Sequence, residues 1–83
     1  MVRFSRHVEF KIELLNKHGF KVNQEMALDT VTKPDRITQG NKGRFIAQKK
    51  ITERHVLRVI FEKHNEDIEI VTLYPGLRSR YED

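Results

Sequence analysis

The sequence predicts one small α+β domain, with two N-terminal helices packed on one face of a four-stranded antiparallel meander sheet. Three observations predict this fold. The chain has 83 residues, enough for a single domain. Its apolar residues recur at helical spacing before Pro34 and at strand spacing after it. The connections between predicted strands are short enough for hairpins. We expect one domain over residues 1–83, with 77–83 as a tail.

The first helix is predicted over Phe4 to His18. Apolar side chains recur every three or four residues along one face: Phe4, Val8, Ile12 and Leu15. Ser5 is a residue type that caps helix N-termini. Gly19 can take the left-handed conformation that ends a helix.

A second helix follows, with Asn23 as its N-cap. Pro34 disfavours helical geometry at Lys33, so this helix should end near Val31 or Thr32.

Four strands are predicted after Pro34: Arg36–Gln39, Arg44–Ile51, His55–Lys63 and Ile68–Tyr74. Pro75 and Gly76 are expected to stop the last strand. Two registers are open for the final hairpin. A four-residue loop over 64–67 would oppose Glu62 with Glu69, which is unfavourable. A three-residue loop over 64–66 instead pairs Lys63 with Asp67, and we predict this register.

The predicted register sorts the hairpin side chains onto two faces. The face expected under the helices carries Leu57, Val59, Phe61, Val71 and Leu73. The other face carries Arg58 opposite Thr72 and Val56 opposite Tyr74, beside Ile60, Ile68 and Ile70. Arg58 interrupts an apolar strand, and an unpaired buried guanidinium is costly. It therefore pairs with an acid such as Glu69 or Glu53, extends to a sheet edge, or lies in an open groove.

Charge and composition narrow the function classes. The net charge is +4 and the isoelectric point is 9.6. Nine basic and three acidic residues lie between Lys33 and Lys63. This basic segment is consistent either with a phosphate-binding surface or with a strand face exposed to solvent. There is no cysteine, so disulfides and thiolate metal sites are excluded. No apolar run is long enough to span a membrane, and the N-terminus lacks a signal-like stretch. We expect a cytoplasmic protein.

Three short motifs occur in order along nearly the whole chain. They are Phe4-Ser5-Arg6-His7, Lys33-Pro34-Asp35-Arg36-Ile37, and Val56 to Phe61 followed by Ile70 to Pro75. In order and spacing they resemble the DUF4258 family, which is similar to the RelE/ParE and BrnT toxins among metal-independent ribonuclease folds. The resemblance implies a RelE-like fold with its site on the open sheet face. The family's suspected site residues fall on His7, Arg58 and Thr72. The chain departs from the family pattern at Val8 and His18.

Metal-independent RNA cleavage needs proton-transfer groups and cations on the phosphate. His7 could act as base or acid, although a lone histidine beside a core is also ordinary helix surface. Arg58 offers a fork to phosphate oxygens, and Thr72 and Tyr74 offer hydroxyl groups beside it. Tyr74 also fits ordinary strand packing. Flanking phosphates would be bound by five basic residues: Arg44, Lys49, Lys50, Arg78 and Arg80. We predict neither a cofactor nor a metal site.

Two functions are consistent with this sequence. The first is a toxin-like, metal-independent endoribonuclease that acts on RNA, including ribosome-bound mRNA, and is held in check by a cognate antitoxin. The second is a non-catalytic module of the same fold that binds RNA or protein. An open groove shared by Arg58 and His7 would favour the first, and a buried pair between Arg58 and a carboxylate would exclude it.

Overall fold

A computed structural model describes residues 1–82 of the chain. The helices are α1 (Arg6–Lys17), α2 (Gln24–Thr32) and the one-turn α3 (Arg78–Tyr81). The strands are β1 (Val2–Phe4), β2 (Arg36–Gln39), β3 (Phe45–Lys50), β4 (His55–His64) and β5 (Asp67–Leu77). They form one sheet in the order β1-β5-β4-β3-β2, in which β1 runs parallel to β5 and the other pairs are antiparallel. The α+β class is confirmed.

The N-caps predicted for the two N-terminal helices are present. The Ser5 side chain accepts a hydrogen bond from the Val8 amide at 3.1 Å, and Asn23 accepts one from the Met26 amide at 2.8 Å. Gly19 follows α1 with a φ of 91°, in the left-handed region. These side-chain and glycine signals are local, so the sequence alone could place both helices.

The four-stranded antiparallel sheet was wrong because a fifth strand pairs at the N-terminus. Val2, Arg3 and Phe4 pair in parallel with Ile68, Glu69 and Ile70. Consequently α1 begins at Arg6, after the predicted start at Phe4. Three residues are too few for a strand period to be read from sequence, and a parallel partner 66 positions away leaves no local signal.

The core lies between the sheet and the layer formed by α1 and α2, which we call the helix layer. Its buried members are Val8, Val22, Ala27, Val31, Ala47, Leu57, Val59, Phe61, Ile70 and Leu73. Successive residues of a strand point to opposite faces. The even-numbered residues of β4, Arg58 among them, therefore face away from the helix layer. We call that side of the sheet the open face.

The predicted three-residue hairpin register was also wrong. His64 pairs with Asp67 around Asn65, which has a φ of 60°, and Glu62 lies opposite Glu69. The two like charges are tolerated because Arg44 and His64 lie beside Glu62, at 2.9 and 3.3 Å. Arg44 lies outside the hairpin, so its charge cannot be seen in the sequences of the two hairpin strands alone.

A β-bulge changes the pairing again further along the hairpin. Phe61 pairs with Ile70, but Ile60 pairs with Thr72, so Val71 has no partner. Beyond the bulge Arg58 lies opposite Tyr74 and not opposite Thr72, and Val56 lies opposite Gly76. Ile70 is fully buried in the core and Ile68 packs against it, whereas both were predicted on the open face.

Residues 77–82 of the predicted tail are part of the fold, and Asp83 lies outside the described residues. Strand β5 continues through Pro75 and Gly76 to Leu77, and α3 then packs against the open face. Pro75 is tolerated because β1 pairs only with residues 68–70, so no strand lies on that side of Pro75 to need its missing N–H. Within residues 1–82 the helices are too short or too polar to cross a bilayer.

Candidate functional site

A row of four side chains crosses the open face on neighbouring strands. Arg36 pairs with Gln48, Gln48 with Arg58, and Arg58 with Tyr74. Paired residues project from the same face of a sheet, so these four lie side by side from β2 to β5. The helix α3 covers one end of this row, where Tyr81 contacts Arg58.

The Arg58 guanidinium is held in one orientation by three side chains. Its Nε donates a hydrogen bond to the Tyr74 hydroxyl at 2.9 Å, and its Nη1 donates one to Gln48 Oε1 at 2.5 Å. The Tyr81 ring stacks on the group, with its centroid 4.1 Å from the central carbon. Because two of the five N–H groups make these bonds, Arg58 keeps donors for a further acceptor.

All of the hydrogen-bond partners of Arg58 are neutral. Within the described part of the chain no carboxylate forms an ion pair with it: Glu69 lies near His64, and Glu53 lies near Arg78 and Lys50. The pair with Glu69 or Glu53 considered from sequence is therefore not formed. Arg58 is half-buried and keeps an uncompensated positive charge beside the open face.

Gln48 positions Arg58 and was missed by the sequence analysis. Only 4% of Gln48 is exposed. Its amide nitrogen donates to the Tyr81 carbonyl at 3.2 Å while its oxygen accepts from Arg58. The signal for Gln48 was a polar residue at a strand centre. Recognising it required knowing that Arg58 is its cross-strand partner.

The structure brings together three of the four predicted catalytic residues. Arg58 and Tyr74 are paired, and Thr72 lies one step along the same face, opposite Ile60. His7 is exposed on α1, which belongs to the helix layer on the other side of the sheet. The groove shared by Arg58 and His7 is therefore not present.

The predicted RNA-binding lysines lie on different faces. Lys49 points to the helix layer, where its amine is 2.8 Å from Asp29. Lys50 lies on the open face, and within residues 1–82 the one ion pair of its amine is a longer contact, 3.6 Å, with exposed Glu53. Of the two, Lys50 is placed to reach a ligand bound near Arg58.

The predicted RNA-binding arginines differ in their partners. Arg44 lies on the open face and pairs with Glu62, and Arg78 pairs with Glu82 at 2.6 Å. Arg80 is exposed and makes no ion pair with any residue from 1 to 82. Arg36 was missed by the prediction, although it is exposed in the same row as Arg58. Its membership in the row depends on the β2–β3 register.

No protein-family model, curated protein or solved structure matches this chain. The DUF4258 resemblance and the RelE-like fold therefore stay predictions.

A second cluster lies at the hairpin end of the open face. One ligand atom each from Glu62, His64 and Glu69 falls within a span of 4.8 Å, a donor set that could hold a metal. However, Arg44 already occupies a carboxylate oxygen of Glu62, and this hydrogen bond lowers the pKa of Glu62. A guanidinium at this position repels a metal cation. We assign the cluster no metal.

Proposed function

We propose that the open face binds single-stranded RNA and that Arg58 holds one of its phosphates. The observation that carries this proposal is the half-buried Arg58 guanidinium, aligned by neutral acceptors and without a carboxylate partner among residues 1–82. A guanidinium held in this way is suited to phosphate because its planar fork matches two phosphate oxygens. An anionic ligand would also supply the missing counter-charge.

The neighbours of Arg58 support a chain of phosphates as the ligand. Arg36 lies on the same row two strands away, at roughly 10 Å given the strand spacing of about 4.8 Å. Lys50 lies on the next row. Binding a polyanion at several such cations releases counterions, which strengthens association at low salt.

Aromatic side chains beside Arg58 favour a single strand over a duplex. The Tyr74 and Tyr81 rings lie 6.5 Å apart, both next to the guanidinium. Unpaired bases stack on such rings, whereas bases within a duplex are not available to do so. A single strand can thus use both the cations and the aromatic rings of this face.

One observation favours RNA cleavage as a second candidate function. The Tyr74 hydroxyl accepts a hydrogen bond from Arg58, so its own proton is free to be donated to a leaving oxygen. This is the toxin-like activity for which a cognate antitoxin is expected. The geometry favours binding over cleavage because His7, the predicted partner in proton transfer, lies in the helix layer.

Binding is tested by the fluorescence anisotropy of a labelled 12-nucleotide RNA and the DNA of the same sequence, over a range of salt concentrations. Arg58→Gln should weaken RNA binding about tenfold and lower the salt slope by about 0.7, the value for one phosphate contact on a single strand. Lys49→Gln is the matched control, since it removes one charge from the helix layer. Equal affinities for the two variants would contradict the role of Arg58.

Cleavage is tested on the same RNA in EDTA, with and without ribosomes. Intact RNA in all samples, together with RNA binding by the wild type, identifies a binding module. Cleavage that is abolished in Tyr74→Phe, while this variant still binds RNA, identifies a nuclease. Thermal unfolding of each variant separates loss of function from loss of the fold.

A further inference from the structure

A pocket of about 370 Å³ opens on the open face beside the Arg58 row. This volume falls within the range of roughly 300–1,000 Å³ that is usual for small-ligand sites. The pocket lies under the connection between β2 and β3. It is lined by Gly40, Asn41, Lys42, Arg44, Ile46 and Ile60.

The floor of this pocket is apolar and next to the proposed phosphate site. Ile46 pairs with Ile60, and this pair lies two residues along the strands from the pair of Gln48 and Arg58. Two residues of a strand span about 7 Å. Both isoleucines are half-buried, so part of each side chain faces the pocket. A flat apolar ring on this floor would lie next to a phosphate on Arg58.

The walls of the pocket are polar or basic, and none of its lining residues is acidic. Asn41 is exposed and its amide group can both donate and accept hydrogen bonds. Lys42 is held in the left-handed region, with a φ of 58°, and forms no ion pair with the described residues. Arg44 is fixed at the rim by Glu62. These groups suit a ligand that has polar edges and a neighbouring negative charge.

Gly40 leaves one wall of the pocket open because it has no side chain, and its backbone conformation does not require a glycine. Its φ of −100° and ψ of −166° are extended values that any residue adopts. A Cβ at this position would meet the Ile46 side chain at 3.6 Å, an ordinary contact. An alanine would thus fit without backbone strain, and the branches of a valine would extend into the space over Ile46.

We propose that this pocket binds one unpaired nucleobase of the strand whose phosphate is held by Arg58. The inference rests on the proposed function and specifies its ligand further. Ile46 and Ile60 contact the face of the base, and the Asn41 amide hydrogen-bonds to its edge. Lys42 binds an adjacent phosphate. A base within a duplex is stacked and paired, so it cannot enter.

The test compares three labelled ligands: a single-stranded RNA, the same RNA in a duplex, and an abasic strand with the same number of phosphates. Gly40→Val fills the pocket and should weaken binding of the single strand at least fivefold, without changing the affinity for the abasic strand. Gly40→Ala should give a smaller loss. Thr32→Val introduces a valine at an exposed position of α2, in the helix layer, and should leave all affinities unchanged.

The outcomes separate this inference from the proposed function. If the wild type binds the single strand and Gly40→Val does not weaken that binding, the base pocket is wrong while the phosphate site stands. If the wild type binds neither the single strand nor the abasic strand, the proposed function itself fails.

A second measurement needs no variant. The methyl NMR signals of Ile46 and Ile60 should shift on titration with the single-stranded RNA and not with the abasic strand. Unchanged signals with bound RNA would overturn the inference.

Discussion

At the scale of single residues, the size of Gly76 decides whether Tyr81 can reach Arg58. A Cβ at position 76 would overlap the Tyr81 ring. Gly76→Ala should therefore displace the ring and lower the free energy of unfolding in urea by about 1–3 kcal/mol, as overpacking does. Gly40→Ala is the control, since its Cβ meets only ordinary contacts at 3.5–3.6 Å. Equal stability of the two variants would contradict this packing role.

At the scale of elements, Ser5 connects α1 to the bulge in β5. Its hydroxyl accepts from the Val8 amide and donates to the Val71 carbonyl at 2.9 Å. Within residues 1–82 the Asn23 side chain makes a single hydrogen bond, the cap to the Met26 amide. Replacing an N-cap residue by alanine lowers the stability of a protein by about 1 kcal/mol. Ser5→Ala should lower the free energy of unfolding, measured by urea denaturation, by about 2 kcal/mol, because it also removes the hydrogen bond to Val71. A loss no larger than that of Asn23→Ala would show that Ser5 acts as a cap alone.

At the scale of the whole molecule, the pKa shifts of two carboxylates predict that the fold is less stable in acid. A hydrogen bond from Lys49 lowers the pKa of Asp29, and one from Arg44 lowers the pKa of Glu62. A lowered folded-state pKa adds stability above the ordinary carboxylate pKa, and this stability is lost as pH falls through the lowered value. Urea midpoints should fall from pH 7 to pH 3, and less steeply in Asp29→Asn/Glu62→Gln. An unchanged slope in this double variant would exclude the two ion pairs as the cause.

Only those residues of the candidate site that stand out within their own strand could be predicted from the sequence. Arg58 was identified because a charged residue interrupts an apolar strand, and this signal is local. Gln48 and Arg36 join Arg58 only through the pairing of β2, β3 and β4. Tyr81 was assigned to a tail because its packing depends on the space above Gly76, which no local pattern records. The closeness of Glu62 and Glu69 also depends on the observed hairpin register, which differs from the predicted one.

The amino-acid pattern alone was enough to predict both N-terminal helices, four of the five strands found within residues 1–82, and Arg58 as a charged residue in an apolar strand. Caps, glycines and apolar periodicity act over a few residues, so they can be recognised along the chain. The parallel strand β1, the bulge at Val71 and the packing of α3 could be recognised only in the folded structure. It also separated His7 from Arg58. These features arise from contacts between distant segments, whose energies depend on neighbours that no single element contains.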